Sequence, residues 1–298
     1  MSPVLAHVGG GVFEPLQLLL IGALAVAYAR RARTLSGRGR PVPAWRLACF
    51  AGGVALLVVG LASPLAHLGE ELVLAHMSQH LVVADLAALL LVLGLTGPML
   101  QPLLALRAID RLRVLTHPLV AFPLWMLSLY LWHVPALYQG ALASEPLHAL
   151  QHASFIGFGV LMWMPLVGPL PVPSWFGLPA KLGYVVGVRL AGTVLGNVFM
   201  WSGEVLYPDY GLGEAEWGIA PLTDQGIAGV IMVAEGGLVT LGAIAWLFLL
   251  WAQRDTERQR LLELAESEGV DLDERRAGRA VAAGQGARLE KRLRQGRT

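Results

Sequence analysis

The chain is organised around the stretch AHMSQHLVVADLAALLLVLGL at positions 75–95. His76 and His80 are four residues apart, so in a helix both imidazoles lie on one face, one turn apart. The remainder of the stretch is apolar and long enough to cross a bilayer. A second pair with the same spacing, His148 and His152, opens another apolar segment. The two pairs can form one site only if their helices pack side by side.

The composition is that of a membrane protein. Of the 298 residues, 55% are hydrophobic and only 14% are charged, whereas about a quarter are charged in an average soluble domain. Backbone groups in hydrocarbon must be satisfied within each segment, which predicts helices. We therefore predict an all-α, polytopic membrane protein, a bundle of seven transmembrane helices. The predicted spans are 14–30, 45–63, 72–95, 118–134, 147–169, 180–202 and 225–252.

The basic residues fall in alternate connections of this seven-span topology. Apart from Arg189, the basic residues before the C-terminal tail lie in the first, third and fifth connections or beside them: Arg30, Arg31, Arg33, Arg38, Arg40, Arg46, Arg107, Arg111, Arg113 and Lys181. The positive-inside rule then predicts that the N-terminus is outside and the C-terminus inside. We expect a seven-helix transmembrane domain at 1–252. A charged cytoplasmic tail follows at 253–298, helical in part and then disordered.

In this topology five histidines lie at the outer ends of three spans, near one depth: His76, His80, His133, His148 and His152. Neutral imidazole is the commonest metal-ligand side chain, and two facing pairs could complete a four-coordinate site. Met77, Met200 and Met232 offer thioethers, and Met200 belongs with the outer end of the sixth span. This donor set suits copper better than calcium or magnesium, and zinc remains possible on ligand type. The single cysteine, Cys49, lies near the inner end of its span, so no thiolate is expected outside.

Three charged residues, Asp85, Arg189 and Glu235, fall inside predicted spans. An isolated charge at that depth is costly, so we expect them to face the bundle interior and to pair, Arg189 with one of the acids. On a regular α-helix Asp85 lies roughly 180° around from His76, on a different face. A polar path or support for a metal, and a structural ion pair, are both open interpretations.

Four motifs come in a familiar order: HMSQH at 76–80, WHVPALY at 132–138, HALQH at 148–152, and PLTDQ at 221–225 with Gly229 and Met232. Together they resemble the CtaG-type, multi-span assembly factors of bacterial cytochrome c oxidase, over residues 10–252. The resemblance implies a multi-pass protein of the bacterial plasma (inner) membrane that helps to mature a haem-copper oxidase of the respiratory chain by handling copper outside. It carries over the five histidines, and Asp224 as the acidic residue of the last motif. Gln151 and Val233 depart from the acidic and aromatic residues expected there.

The sequence interpretation is a copper-binding metallochaperone and not an enzyme. Its metal ligands would be the five histidines, supported by a polar set of Met77, Asp85, Arg189, Met200, Asp224 and Glu235. Its expected partners are oxidase subunits, the lipid bilayer and a periplasmic or extracytoplasmic copper chaperone, with no nucleic acid. The alternatives are a haem-binding electron carrier, in which histidines ligate the iron, and a metal transporter or permease using the buried charges.

Overall fold

A computed structural model describes residues 15–282 and 284–295, which form helices joined by short connections. The predicted outward N-terminus, the first residue of the first predicted span, and the last three residues of the tail lie outside this described part. The chain divides into two compact units, Met1–Leu238 and Val239–Thr298.

The helices of the first unit begin with α1 to α7, which include one span interrupted by a π-helical turn. They are α1 (Pro15–Gly37), α2 (Ala44–Ala62), α3 (Pro64–Glu71), α4 (Val73–Leu81), the π-helical turn (Val82–Ala87), α5 (Ala88–Gly94), α6 (Gly97–Leu104) and α7 (Arg107–Arg111). The later helices are α8 (Pro118–Trp132), α9 (Pro135–Leu142), α10 (Glu145–Val167), α11 (Leu178–Trp201), α12 (Gly211–Trp217) and α13 (Pro221–Ser267). Helix α13 continues into the second unit, where α14 (Glu274–Ala282) and α15 (Gly286–Leu293) follow.

Within the described part of the chain, five helical segments are long and apolar enough to cross a membrane. They are Ala44–Ala62, Val73–Gly94, Glu145–Val167, Leu178–Trp201 and Pro221–Ser267. A sixth is added if Arg107–Thr116 and Pro118–Trp132, which are bent by 79°, form one span. Helix α1 does not join them, and three of its last eight residues are arginines. The chain is thus an all-helical membrane protein, while the count of seven spans and the orientation stay predictions.

Short breaks in the helices place the histidines. Helix α3 begins with Pro64, and the Ser63 side chain accepts a hydrogen bond from the amide of Leu65, a typical N-cap. Leu72 is extended and separates α3 from α4, so the chain folds back and α3 packs against α4. His133 and Val134 make a similar break before Pro135, which starts α9 at a position where proline is favoured. Each break leaves a histidine-bearing helix end facing inward.

Asp85 lies within the π-helical turn. Its i→i+5 hydrogen bonding adds a residue to the turn, and such bulges occur often at functional sites. Packing helps to fix it, because Gly159 of α10 lies against the carbonyl of Ala84 so closely that a Cβ there would collide with it. Asp85 and His80 line one cavity with Met77, Leu81 and Ala84, a set with the i, i+3, i+4, i+7, i+8 spacing of one helix face. His76 does not line this cavity.

The second unit contains two short helices where the sequence analysis expects a disordered end. Leu289 and Leu293 of α15, with Val281 of α14, bury apolar side chains against Leu261 and Ala265 of α13. Gly269 and Gly284 adopt φ of 65°, which allows the two sharp turns. Helical patterns of leucine and alanine among the charges are what make this packing possible.

Candidate metal centre

The two histidine pairs meet. Ring centroids are 4.2 Å apart for His76 and His80 on α4, and 4.3 Å apart for His148 and His152 on α10. Across the helices the separations are 5.6 Å between His76 and His148 and 5.4 Å between His80 and His152. The four rings therefore form a quadrilateral with sides of 4.2–5.6 Å, which we call the histidine cluster.

A fifth ring adjoins the cluster on the side of His80. His133 follows the last residue of α8, and its ring centroid is 6.5 Å from that of His80. His76, His80 and His152 are at least 95% buried, whereas His148 is half-buried and forms the exposed corner. The cluster is therefore closed to solvent except at His148.

Hydrogen bonds fix the tautomers of two of the rings. Nδ1 of His76 donates to the carbonyl oxygen of Gly69 at 3.0 Å, and Nδ1 of His133 donates to that of Leu129 at 2.7 Å. Because a carbonyl oxygen can only accept, each Nδ1 carries the proton and each Nε2 of the neutral ring has a lone pair. Such second bonds to the backbone are how metal-binding histidines are commonly oriented.

Among the residues that the structure describes, most other ring nitrogens of the cluster and of His133 are buried without a hydrogen-bond partner. This holds for Nε2 of His76, His133 and His148 and for both ring nitrogens of His80 and His152. Buried polar groups are nearly always hydrogen-bonded, so seven orphaned ring nitrogens in one place call for a ligand. Neutral imidazole nitrogen is a donor for copper or zinc and a poor one for calcium or magnesium.

The ring nitrogens of the described histidines are not arranged around one point. Among residues 15–282 and 284–295, no three His, Cys, Asp or Glu side chains are placed so that they could hold a metal ion as they stand. Four imidazoles on one tetrahedral ion, with nitrogen–metal distances of about 2.0–2.1 Å, have ring centres roughly 5 Å apart. The four observed sides, 4.2–5.6 Å, bracket that separation.

A tyrosine network covers the cluster. Tyr138 and Tyr210 hydrogen-bond through their hydroxyls at 2.9 Å, and the hydroxyl of Tyr210 also donates to the carbonyl of Gly69 at 3.3 Å. Tyr207 stacks on Tyr138 at 3.9 Å and donates to the carbonyl of His133 at 2.9 Å. Tyr207 and Tyr210 lie in a short connection whose sequence shows neither helical nor strand periodicity. The only sequence signal for their burial is that aromatic residues stand next to acidic ones there.

Asp224 plays a structural part. Its carboxylate oxygens accept the backbone amides of Val73 and Leu74 at 2.7 and 2.9 Å, and the residue is fully buried. These are orphan amides of the first turn of α4, so Asp224 caps from α13 the helix that carries His76 and His80. Outside the spans, burial and the neighbouring Asp224 carboxylate raise the pKa of Glu214.

A second polar group lies beyond His80. Oδ1 of Asp85 accepts the indole N–H of Trp163 at 2.7 Å, and Oδ2 lies 3.8 Å from Nη2 of Arg189. Glu235 interacts electrostatically with Asp85 and with Arg189. Gly236 makes room for the arginine, since a Cβ there would overlap the guanidinium. We call Asp85, Arg189 and Glu235 the charge triad.

A cavity of about 70 Å³ connects the triad with the histidines. His80 and His133 line it from one side and the charge triad from the other, while Met77, Met232 and apolar side chains complete its wall. Met200, predicted from sequence to lie near the site, instead packs against Gly229 of α13 and is not part of this wall. The thioether partner that the cavity does contain on α13 is Met232, seven residues after Gln225 of the PLTDQ motif.

The fold and this geometry define a class of protein: a polytopic helical membrane protein with a buried cluster of imidazoles, most of whose ring nitrogens lack a hydrogen-bond partner among the described residues. The comparisons then name the family: the model of the cytochrome c oxidase caa3 assembly factor, Caa3_CtaG, matches residues 26–254. Because the match covers most of the chain, the protein belongs to this family of oxidase assembly factors. Comparisons with curated proteins and with solved structures found no significant match.

Proposed function

We propose that this protein serves oxidase assembly by binding a copper ion, as cargo, at the histidine cluster and releasing it to an assembling haem-copper oxidase at the outer face of the bacterial plasma membrane. The observation that carries the proposal is the set of buried, partnerless ring nitrogens on two helices packed together. A purely structural histidine cluster gains nothing from leaving these groups unsatisfied.

The geometry supports binding followed by release. His76 and His133 are held by carbonyls with Nε2 available, which orients two donors in advance. His148 is the least buried of the four rings, so an ion would enter and leave there, exchanging with a partner protein. A copper chaperone outside the membrane and the oxidase subunits are the expected donor and acceptor.

The cavity argues against the haem alternative. Pockets that hold ligands of drug or cofactor size typically measure about 300–1,000 Å³. The cavity beside His80 and His133 measures about 70 Å³, and the remaining space around the rings is filled by Tyr138 and Phe155.

The test is the copper content of the full chain purified in detergent, measured by elemental analysis. We expect the wild-type protein to retain copper and the His76→Ala/His80→Ala double variant to lose most of it. His117→Ala is the matched control, because His117 caps α8 away from the cluster and is expected to leave the copper content unchanged. Equal copper in the wild type and the double variant would contradict the proposal.

The same variants address assembly in cells. Cells that carry the double variant as their only copy should accumulate oxidase with reduced copper, and the His117→Ala cells should not. Full copper in the oxidase of double-variant cells would contradict delivery by this cluster.

A further inference from the structure

The two helices that form the histidine cluster carry the same five-residue motif. HMSQH at 76–80 and HALQH at 148–152 both follow the pattern His-x-x-Gln-His, so a glutamine stands between the members of each pair. Both glutamines, Gln79 and Gln151, are at least 98% buried. A buried carboxamide at the same place in both motifs raises the question of what it binds.

The carboxamide of Gln151 has no hydrogen-bond partner in the part of the chain that the structure describes. Its Oε1 and Nε2 atoms are both buried and unpaired, so exchanging the two atoms would not satisfy either. Gln225 shows how a structural glutamine is held in this fold. Its Oε1 accepts the amide of Leu206 at 2.8 Å, and its Nε2 donates to the carbonyl of Phe199 at 3.2 Å. Because buried polar groups are nearly always paired, Gln151 has hydrogen-bonding capacity in reserve for a partner.

His80 lacks the complementary group, an acceptor for its N–H. A neutral imidazole carries one N–H, and those of His76 and His133 each donate to a backbone carbonyl. His80 is 95% buried, and neither of its ring nitrogens has a partner among the described residues. When one nitrogen of a ring holds a metal ion, the other carries the N–H and almost always donates to a carboxylate, a carbonyl or water. An acceptor beside His80 is therefore needed once that ring holds an ion.

Helix geometry places Gln151 on the side of His80. The ring of His76 faces that of His148 at 5.6 Å between centroids. The ring of His80 faces that of His152 at 5.4 Å, so the two motifs run in parallel. In each motif the glutamine lies roughly 60° to one side of the first histidine, and the second histidine roughly 40° to the other. Across two parallel helices these sides are exchanged, so Gln151 lies on the flank of His80 at nearly the same depth.

The next turn of α10 supports this placement. Phe155 follows Gln151 by four residues, so the two side chains lie on one stripe of the helix. The ring centroid of Phe155 is 4.6 Å from that of His80 and 5.9 Å from that of His133. The stripe that carries Gln151 therefore faces the His80 side of the cluster.

We infer that Gln151 is a positioning residue of the copper site, whose carboxamide oxygen accepts the N–H of His80 when the other nitrogen of that ring holds the ion. The inference rests on the proposed function, since it gives Gln151 a partner only in the ion-bound protein. Gln79 stands in the equivalent place beside His152, and its Oε1 is also unpaired among the described residues. Its Nε2 donates to the carbonyl of Gly60 at 2.9 Å, so a change there would also remove a structural bond. Gln151 is therefore the residue to test.

The experiment compares Cu²⁺ affinity and metal-free stability of the full chain in detergent. Gln151→Leu removes the acceptor and should weaken Cu²⁺ binding by roughly 10- to 100-fold in calorimetric titration, the range for residues that orient metal ligands. Its metal-free form should unfold at the temperature of the wild type or above, because the variant also removes an unsatisfied buried amide. Gln151→Glu keeps an acceptor oxygen at the same chain length and should bind Cu²⁺ at least as tightly as the wild type, within a few-fold. Gln101→Leu, at an exposed glutamine of α6, is the matched control and should change neither quantity.

Pulsed electron paramagnetic resonance of the Cu²⁺-loaded protein reads the proposed hydrogen bond itself. The quadrupole coupling of the remote imidazole nitrogen, the one that does not hold the ion, responds to the hydrogen bond of its N–H. We expect this coupling to change for one imidazole in Gln151→Leu. Gln151→Asn, which keeps the amide but withdraws it by one methylene, should change it in the same way and serves if Gln151→Leu does not fold.

Equal Cu²⁺ affinity and equal coupling in Gln151→Leu and the wild type, with binding lost in His76→Ala/His80→Ala, would overturn the inference and leave the proposed function standing. A loss of metal-free stability in Gln151→Leu with unchanged Cu²⁺ affinity would show a structural glutamine and would overturn the inference as well. Undiminished Cu²⁺ binding in the histidine double variant would instead overturn the proposed function itself.

Discussion

Two buried polar regions lie side by side at one end of the bundle, and they differ in how their hydrogen-bonding groups are used. The carboxylate of Asp224 accepts two backbone amides of α4, and the tyrosine hydroxyls find oxygen partners. In the histidine cluster most ring nitrogens have no hydrogen-bond partner in the part of the chain that the structure describes. A satisfied buried group stabilises the fold, whereas an unsatisfied one costs free energy and is retained where it binds something. The difference assigns support to one region and binding to the other.

Removing the Asp224 carboxylate, which caps α4, should have the largest effect on stability. Asp224→Ala leaves the buried amides of Val73 and Leu74 without acceptors, at a cost of about 1–3 kcal/mol for each unsatisfied group. We expect the free energy of unfolding in detergent to fall by about 3 kcal/mol. Asp209→Ala, at an exposed acid of the same end of the bundle, should change it little. A small effect of Asp224→Ala would contradict the structural role assigned to the region around Asp224.

Removing the imidazole of His80 should instead raise the stability of the metal-free protein or leave it unchanged. His80→Leu replaces two partnerless nitrogens by apolar atoms of similar volume, so the metal-free protein should be about 1 kcal/mol more stable, or unchanged. The same variant should lose copper. Thermal unfolding of the metal-free protein checks the first part. A loss of 2 kcal/mol or more would mean that His80 is a structural residue.

A smaller effect concerns pH. Burial and the nearby Asp224 carboxylate raise the pKa of Glu214, so the folded state keeps its proton where the unfolded chain has lost it. Unfolding then releases a proton, and stability falls as pH rises from the unfolded value of about 4.3 through the raised folded value. Glu214→Gln should flatten that part of the stability–pH curve. An unchanged slope would show that the surroundings do not raise the pKa of Glu214 in the folded protein.

The pairing of the histidines within each helix could be predicted because it depends on local spacing, whereas the meeting of the two pairs depends on how their helices pack. An i, i+4 pair shares a helix face whatever the packing, and four ordered motifs gave the resemblance to the family that the family match bears out. The π-helical turn at Val82–Ala87 could not be predicted, since no spacing in the sequence reveals it. The capping of α4 by Asp224 joins residues about 150 positions apart and needed coordinates.

The measurement that tests the central claim most directly is X-ray absorption at the copper edge on the loaded full chain. The account predicts a first shell dominated by imidazole nitrogen, with the multiple-scattering signature of histidine rings, and the loss of that signal in the His76→Ala/His80→Ala variant. A shell of oxygen ligands without imidazole scattering, or a spectrum that is the same in the variant, would contradict it.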